Sequence, residues 1–285
     1  MNPPRNLRQA LKKLDYLPAI PNIAQKILSL KITTEEGERT LFGLIEKDPS
    51  ILSKIVGLSN SPLFGTSRNI LTLHDATALL GSKRVKMIAL SFAMMSSMAR
   101  ESTGQLNINN LWKHSLSVAM AMDTLASFMP DDRRPSEEEI YLAGLLHDIG
   151  FMVLDYLDAS LSDQLHSRLA AAPGHQVEEI EAELLEMNHH ELGAELGRHW
   201  NLPERIIAVL RYHHTPNNAL AAVGQPLVHM AYLAGKLLPA FSIDDSVQMD
   251  ISIEEWSALG IDPLKADEIM AKVLKHAREV DAMTM

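Results

Sequence analysis

The chain has 285 residues, 26 Lys and Arg against 36 Asp and Glu, and a formal charge of −10. That balance excludes broad electrostatic adhesion to nucleic acid or anionic lipid, and the lack of cysteine excludes a disulfide framework, a thiolate zinc site and a cysteine nucleophile. At 46% hydrophobic and 22% charged the composition is that of a globular chain able to bury a sizeable core, about two domains by length.

No apolar run approaches the roughly 20 residues a membrane helix needs. The N-terminal stretch interleaves charges with leucines, unlike a secretory signal. A soluble cytoplasmic protein is expected. Leucine, alanine, methionine and isoleucine recur at intervals of three and four almost throughout, and alternating β-branched runs joined by tight turns are missing, so the expected class is all-α.

In chain order, residues 7–104 read as a bundle of short helices holding one histidine, and 105–238 as longer helices holding most of the others. Thr33 with Glu36, and Ser136 with Glu139, have capping-box spacing. Asp48-Pro49 places an N-cap aspartate before a proline at the first helical position. Gly65, Gly81 and Gly150 read as helix stops or loop glycines. The polar stretch 100–104 reads as the junction, Met94, Met95 and Met98 as core packing, and Lys83-Arg84-Val85-Lys86 as a solvated helix start. Residues 131–135 read as an exposed loop. After Pro239 a polar segment, 242–248, precedes a helical tail (239–285) whose stripe Leu264, Ile269, Val273 and Leu274 is expected to dock on the protein's own surface.

The chemistry concentrates in the histidines. Nine of twelve lie between residues 147 and 229, including the pairs His189-His190 and His213-His214. The sharpest feature is Ala143-Gly144-Leu145-Leu146-His147-Asp148-Ile149-Gly150, an imidazole and a carboxylate at the end of an apolar helix. Nitrogen and oxygen donors without thiolate suit Mg, Mn, Fe, Zn or Ni. Neighbouring helix residues diverge by about 100°, so further ligands must come from other helices. His190, His199 and His229 read as ordinary surface or core-edge residues, and the same pattern is also open to a purely structural account in which histidines cap helices and fill a polar seam.

Several motifs in one order then carry a resemblance. Leu17-Pro18-Ala19-Ile20-Pro21, Ile45-Glu46-Lys47-Asp48-Pro49, Leu58-Ser59-Asn60-Ser61-Pro62-Leu63-Phe64-Gly65 and Ile70-Leu71-Thr72-Leu73-His74-Asp75-Ala76 look like the start of an HDOD domain. The likeness continues through Leu111-Trp112-Lys113-His114, the His147-Asp148 motif, His189-His190-Glu191-Leu192-Gly193, Trp200-Asn201-Leu202-Pro203 and His213-His214, covering residues 10–238. The resemblance implies an N-terminal bundle of short helices packed on an HD-like bundle, related to HD-superfamily metal phosphohydrolases and associated with bacterial signalling.

It also implies a metal site of His114, His147, Asp148, His189, His213 and His214, holding a divalent ion. Three departures stand against hydrolysis. Phe151 occupies the place where HD-GYP enzymes carry a phosphate-steadying lysine. Tyr232 falls where a late aspartate ligand is expected, and Thr215-Pro216 replaces the segment that follows the histidine pair. The expected function is therefore a non-catalytic regulatory module that binds a signalling protein or a small phosphorylated ligand. A metal-dependent phosphohydrolase acting on a nucleotide or other phosphoester is the alternative. Neither nucleic acid nor membrane is expected as a partner.

Overall fold

The computed structural model describes residues 7, 17–61, 64, 69–98, 104–172, 177–238 and 250–283. Gly65, residues 100–103 of the junction, Pro239 and the polar segment 242–248 lie outside them. The described residues form fifteen α-helices and no strand, as the three- and four-residue periodicity requires. The first five are α1 (Asn22–Ser29), α2 (Glu35–Ile45), α3 (Pro49–Ser59), α4 (Leu73–Leu80) and α5 (Ser82–Ser96). Six longer or site-bearing helices follow: α6 (Ile108–Phe128), α7 (Glu137–Leu146), α8 (Ile149–Leu157), α9 (Ala159–Ala171), α10 (Val177–Leu184) and α11 (His189–His199). Then come α12 (Glu204–Tyr212), α13 (Leu227–Leu237), α14 (Ile253–Ala258) and α15 (Ala266–Asp281).

Local chemistry explains the boundaries. Asp48 Oδ1 accepts from the backbone N–H groups of Ser50 and Ile51, with Pro49 behind it. Ser136 and Glu139 close a full capping box on α7. Gly81, at φ +83°, lets α4 stop and α5 start in one residue, a conformation only glycine adopts without steric cost. The other expected box does not form, and a single side-chain cap stands one residue on. Thr34, not Thr33, caps α2 and accepts from Gly37 N–H, because the extended backbone at Thr34 places its hydroxyl over the first turn.

The two regions pack closely. Lys86, only 7% exposed, donates to Leu30 O and pairs with Glu138 at 3.0 Å; Arg84 pairs with Asp123 and Glu137. The Lys83–Lys86 cluster is thus a tie between α5, α6 and α7 rather than a solvated helix start. Burial of an Arg or Lys stem requires such pairing for its charged head. Trp200 Nε1 donates to Pro18 O across 182 residues of sequence. Met94, Met95 and Met98 are core, as expected. The stretch Glu137–Leu157, covering α7 and α8, has the length and hydropathy of a membrane helix, which the run-length reading missed; 89% of its most apolar window is buried inside the protein.

The tail does dock, on a stripe that keeps Ile269 and Val273 of the four expected residues. Ile269, Val273, Ala277 and Val280 are buried along α6, whereas Leu264 is 90% exposed and Leu274 only half-buried. Leu264 belongs to the separate turn Pro263–Lys265, which precedes the helix and so does not share its face. Trp256, Leu259 and Ile261 add to the seal. Each buried valine, leucine or isoleucine among them contributes about 1.5–3 kcal/mol. Truncation after residue 238 is therefore expected to lower the thermal midpoint by roughly 10 °C or more, measured by calorimetry; an unchanged midpoint would show that the tail is an appendage.

Candidate metal centre

The His147-Asp148 pair lies at the break between α7 and α8. His147 is the residue that ends α7, and Asp148 is the residue that precedes α8. An aspartate there ordinarily caps the helix. The Asp148 side chain makes no cap hydrogen bond and meets imidazoles instead. Its Oδ2 lies 3.1 Å from His147 Nε2 and 3.3 Å from His114 Nε2. Its Oδ1 lies 3.4 Å from His213 Nε2 and 3.7 Å from His189 Nε2. His214 Nε2 closes the group at 3.0 Å from His189 Nε2. All six residues that the sequence reading named come together. Their candidate ligand atoms form two sets, His114–His147–Asp148 and Asp148–His189–His213–His214, each within 4.8 Å and both sharing Asp148.

Helix ends aim the rings. His147 Nδ1 lies 2.9 Å from Gly144 O and His213 Nδ1 3.0 Å from Val209 O, each a carbonyl of a last helical turn. A carbonyl only accepts, so both Nδ1 atoms carry hydrogen, and in the neutral ring each Nε2 presents a lone pair. His189 opens α11, where Asn188 and Glu191 form a capping box. The first-turn N–H of His189 donates to Glu181 Oε1, and its Nδ1 sits 2.9 Å from Glu181 Oε2. On the same face of α10, Glu178 Oε1 lies 3.1 Å from His214 Nδ1. Carboxylates behind imidazoles fix the tautomer and raise donor strength at metal sites.

The donor chemistry fits a cation. In their neutral form His147 and His213 turn lone pairs toward a carboxylate, acceptor against acceptor, and neither Asp148 oxygen has a partner of hydrogen-bond geometry among the described residues. Burial pushes the Asp148 carboxyl up, but the charge of His147 and contacts from His114, His147 and His213 prevail and hold it well below the usual range. Burial lowers His213, and lowers His214 strongly with help from neighbouring His213 and His189. An ionised carboxylate ringed by imidazole nitrogens in a dry interior is the environment a divalent ion completes.

His190, read from sequence as an ordinary residue, is 8% exposed and 5.4 Å from the His189 ring. Arg211 donates to its Nδ1 at 2.7 Å, so its tautomer is the reverse of its neighbours'. Burial, then the His189 and His213 charges, push it down to about 2. His229 and Tyr232 lie elsewhere. Their rings meet edge-on at 6.1 Å, and Tyr232 interacts with Lys236 and Glu255 rather than with Asp148. Phe151 is fully buried and stacks on His189 at 4.3 Å and 11°, closing that side with an apolar ring.

Gly150 is neither stop nor loop: it lies inside α8, because the helix break falls two residues earlier and the glycine serves a close approach. A Cβ there would stand 1.8 Å from His189 O. Sequence reasoning missed Glu178 and Glu181. Their signal was spacing alone, three apart on one helical face.

Acid should weaken this assembly. In the unfolded chain histidine takes a proton near pH 6.5, whereas folded His190, His213 and His214 resist it. The unfolded state then binds more protons, and stability falls as pH drops below 6.5, by about 1.4 kcal/mol per pH unit for each fully resistant histidine. His190 and His214 alone give roughly 3 kcal/mol between pH 7.5 and 5.5. Asp148 acts in the same direction only below about pH 4. Denaturant titration at pH 7.5 and 5.5 checks this; equal or greater stability at the lower pH would contradict it.

The family model of the HDOD domain matches residues 17–216. An uncharacterised protein of Treponema pallidum is 25% identical over 205 residues, 70% of this chain; the match spans 38% of that protein's length. The fold matches an HDOD domain protein of unknown function from Geobacter sulfurreducens with a TM-score of 0.74 at 21% identity, covering 98% and 100% of the two chains. A presumed signal transduction protein from Marinobacter aquaeolei matches with 0.77 at 23%, over 98% of this chain and 61% of that one. A presumed phosphohydrolase from Shewanella amazonensis matches with 0.68 at 21%, over 95% and 96%. At these identities the solved structures show a shared fold, and the family match extends over more than two thirds of the sequence: the chain belongs to the HDOD family.

Proposed function

We propose that this HDOD chain is a cytoplasmic bacterial regulatory module. Its His114, His147, Asp148, His189, His213 and His214 hold a divalent metal as a structural or sensory centre, and its action is to bind a signalling protein or a small phosphorylated ligand. The observation that carries this reading is the closure of the cluster. Asp148 and His189 are completely buried, His114, His147 and His213 are at most 5% exposed, and Phe151 is stacked over His189 where a phosphate-steadying cation is expected. A phosphoester needs an approach to the metal and positive groups for its charge; the described surroundings of Asp148 supply imidazoles and an aromatic ring. Five imidazoles to one carboxylate favour Fe, Zn, Ni or Mn over Mg, which prefers oxygen donors.

One observation favours hydrolysis as the second reading: two ligand sets meet at a single shared carboxylate, the arrangement of a bridged two-metal site. A metal bound there would polarise a phosphoryl oxygen and acidify a bound water. His214, whose side chain is 16% exposed, is the edge from which water would enter. Metal analysis of protein purified without chelator, followed by assays on p-nitrophenyl phosphate, bis(p-nitrophenyl) phosphate and cyclic dinucleotides, separates the readings. Bound metal without turnover is expected. Turnover lost in Asp148→Ala would establish the hydrolase instead, and metal-free protein would remove both.

A further inference from the structure

At the far end of α7 from the imidazole cluster lies a polar cleft of about 750 Å³. It is bounded by the turn Asp131–Arg133, the start of α7, the residues before α13 and the end of α14. Its volume falls within the roughly 300–1,000 Å³ of small-molecule sites. From Glu139, on its wall, to His147 is eight residues, about 12 Å along the helix, so the cleft is separate from the metal centre.

Three guanidinium groups line it, those of Arg133, Arg134 and Arg205. Each is held from behind. Arg133 Nη2 donates to Ala258 O at 2.6 Å, Arg134 Nη2 to Met129 O at 3.1 Å, and Arg205 Nη2 to Gln225 O at 3.2 Å while Nη1 bonds Glu139. Arg134 also meets Asp131 at 3.0 Å. Such contacts use one or two of the five donors on each group and fix its plane. Glu139 is matched by Arg205 and by the Ser136 N–H and Oγ–H, which leaves Asp132 as the other lining carboxylate. The lining is therefore net positive on a chain of charge −10.

A second observation points to a ligand. His229 lines the same cleft, is only 8% exposed, and its Nε2 has no hydrogen-bond partner among the described residues. Buried polar atoms are nearly always paired, and an exception inside a cleft marks where a bound group completes the pairing. Pro135, Pro216, Pro226 and Ala258 provide apolar walls.

We propose that this cleft binds a small organic anion of about nucleotide size, its phosphate or carboxylate held by Arg133, Arg134 and Arg205 and a polar edge hydrogen-bonded to His229. Forked guanidinium groups favour such planar or tetrahedral oxyanions. As the place of a sensed ligand the cleft rests on the regulatory reading, whereas its geometry is independent of the metal.

Calorimetric titration of the full chain with AMP, inorganic phosphate and citrate, in about 0.15 M salt to screen loose attraction, tests this. AMP should bind once per chain with sub-millimolar affinity. The double variant R133Q/R134Q, at two exposed positions, should weaken it about tenfold or more with little change in thermal midpoint. His229→Leu should weaken it as well while leaving the midpoint unchanged or raised, since it removes an unpaired nitrogen. Asp148→Asn should strip metal yet leave AMP binding intact. Binding of citrate alone, lost in R133Q/R134Q, supports the same site with a carboxylate ligand. No heat from any probe, heat unaffected by R133Q/R134Q, or AMP binding abolished by Asp148→Asn would overturn the cleft as the site while leaving the metal reading to its own test.

Discussion

Asp148→Asn should reduce bound metal from at least one equivalent to a trace, read by elemental analysis after purification without chelator. No other ligand is shared by both sets, and each carboxylate oxygen faces two imidazole nitrogens within 3.7 Å. An amide keeps the volume but replaces one anionic oxygen by an NH₂ that cannot coordinate. Stability should follow the metal. A ligand present at about a thousand times its dissociation constant contributes about 4 kcal/mol to the folded state. At about 2–4 °C per kcal/mol for a chain of this size, the midpoint should fall by roughly 10 °C, and chelator should reproduce the fall in the unmodified protein. The opposite result is also specific. The amide nitrogen can donate to the lone pairs of His147 or His213, so a cluster that holds no metal would be relieved by the substitution. An unchanged or raised midpoint, with metal absent from both proteins, would identify the cluster as a polar core.

What the sequence made legible and what it hid divide along a physical line. His147, His189 and His213 are adjacent in the chain to the apolar runs and breaks that end or begin their helices, so the ligands announce the termini that aim them. His114 is different. It sits in the middle of α6 among buried Leu111, Trp112, Ser115 and Leu116, and the family motif rather than any local signal singles it out. Glu178 and Glu181 were hidden because an acidic, amphipathic segment ordinarily faces solvent. Burial of Glu181 follows from α10 packing beside the start of α11, a tertiary event with no trace in the local pattern. Gly150 misled for a related reason. Glycine after a polar pair signals a stop, yet the stop had already occurred at His147-Asp148, and the missing side chain serves the crossing of α8 and α11 instead. The arginine cleft was equally silent, since Arg133, Arg134 and Arg205 are separated by some seventy residues and converge only when α7, α12 and α14 pack.

That crossing sets the most severe expected effect of a single methyl group. Gly150→Ala would place Cβ 1.8 Å from His189 O and 2.5 Å from His189 C, where real Cβ contacts are essentially never below 3.0 Å. Backbone cannot rotate out of the way as a side chain can, so α11 must move away by more than an ångström and carry His189 with it. The helix-propensity gain of alanine over glycine, about 1 kcal/mol, cannot offset this overpacking, which costs about 3 kcal/mol or more. The variant should lose bound metal and melt roughly 5–10 °C lower. Its neighbour across the crossing gives the control. A Cβ on Gly193 would meet nothing nearer than Gly150 N at 3.4 Å, an ordinary contact, so Gly193→Ala keeps the propensity gain and should be neutral or slightly stabilising with metal retained. The contrast separates close approach from any general need for glycine in these helices. If the two variants behave alike, the backbone contact between α8 and His189 is not what positions this ligand, and its aim would have to come from Glu181 and the α11 cap alone.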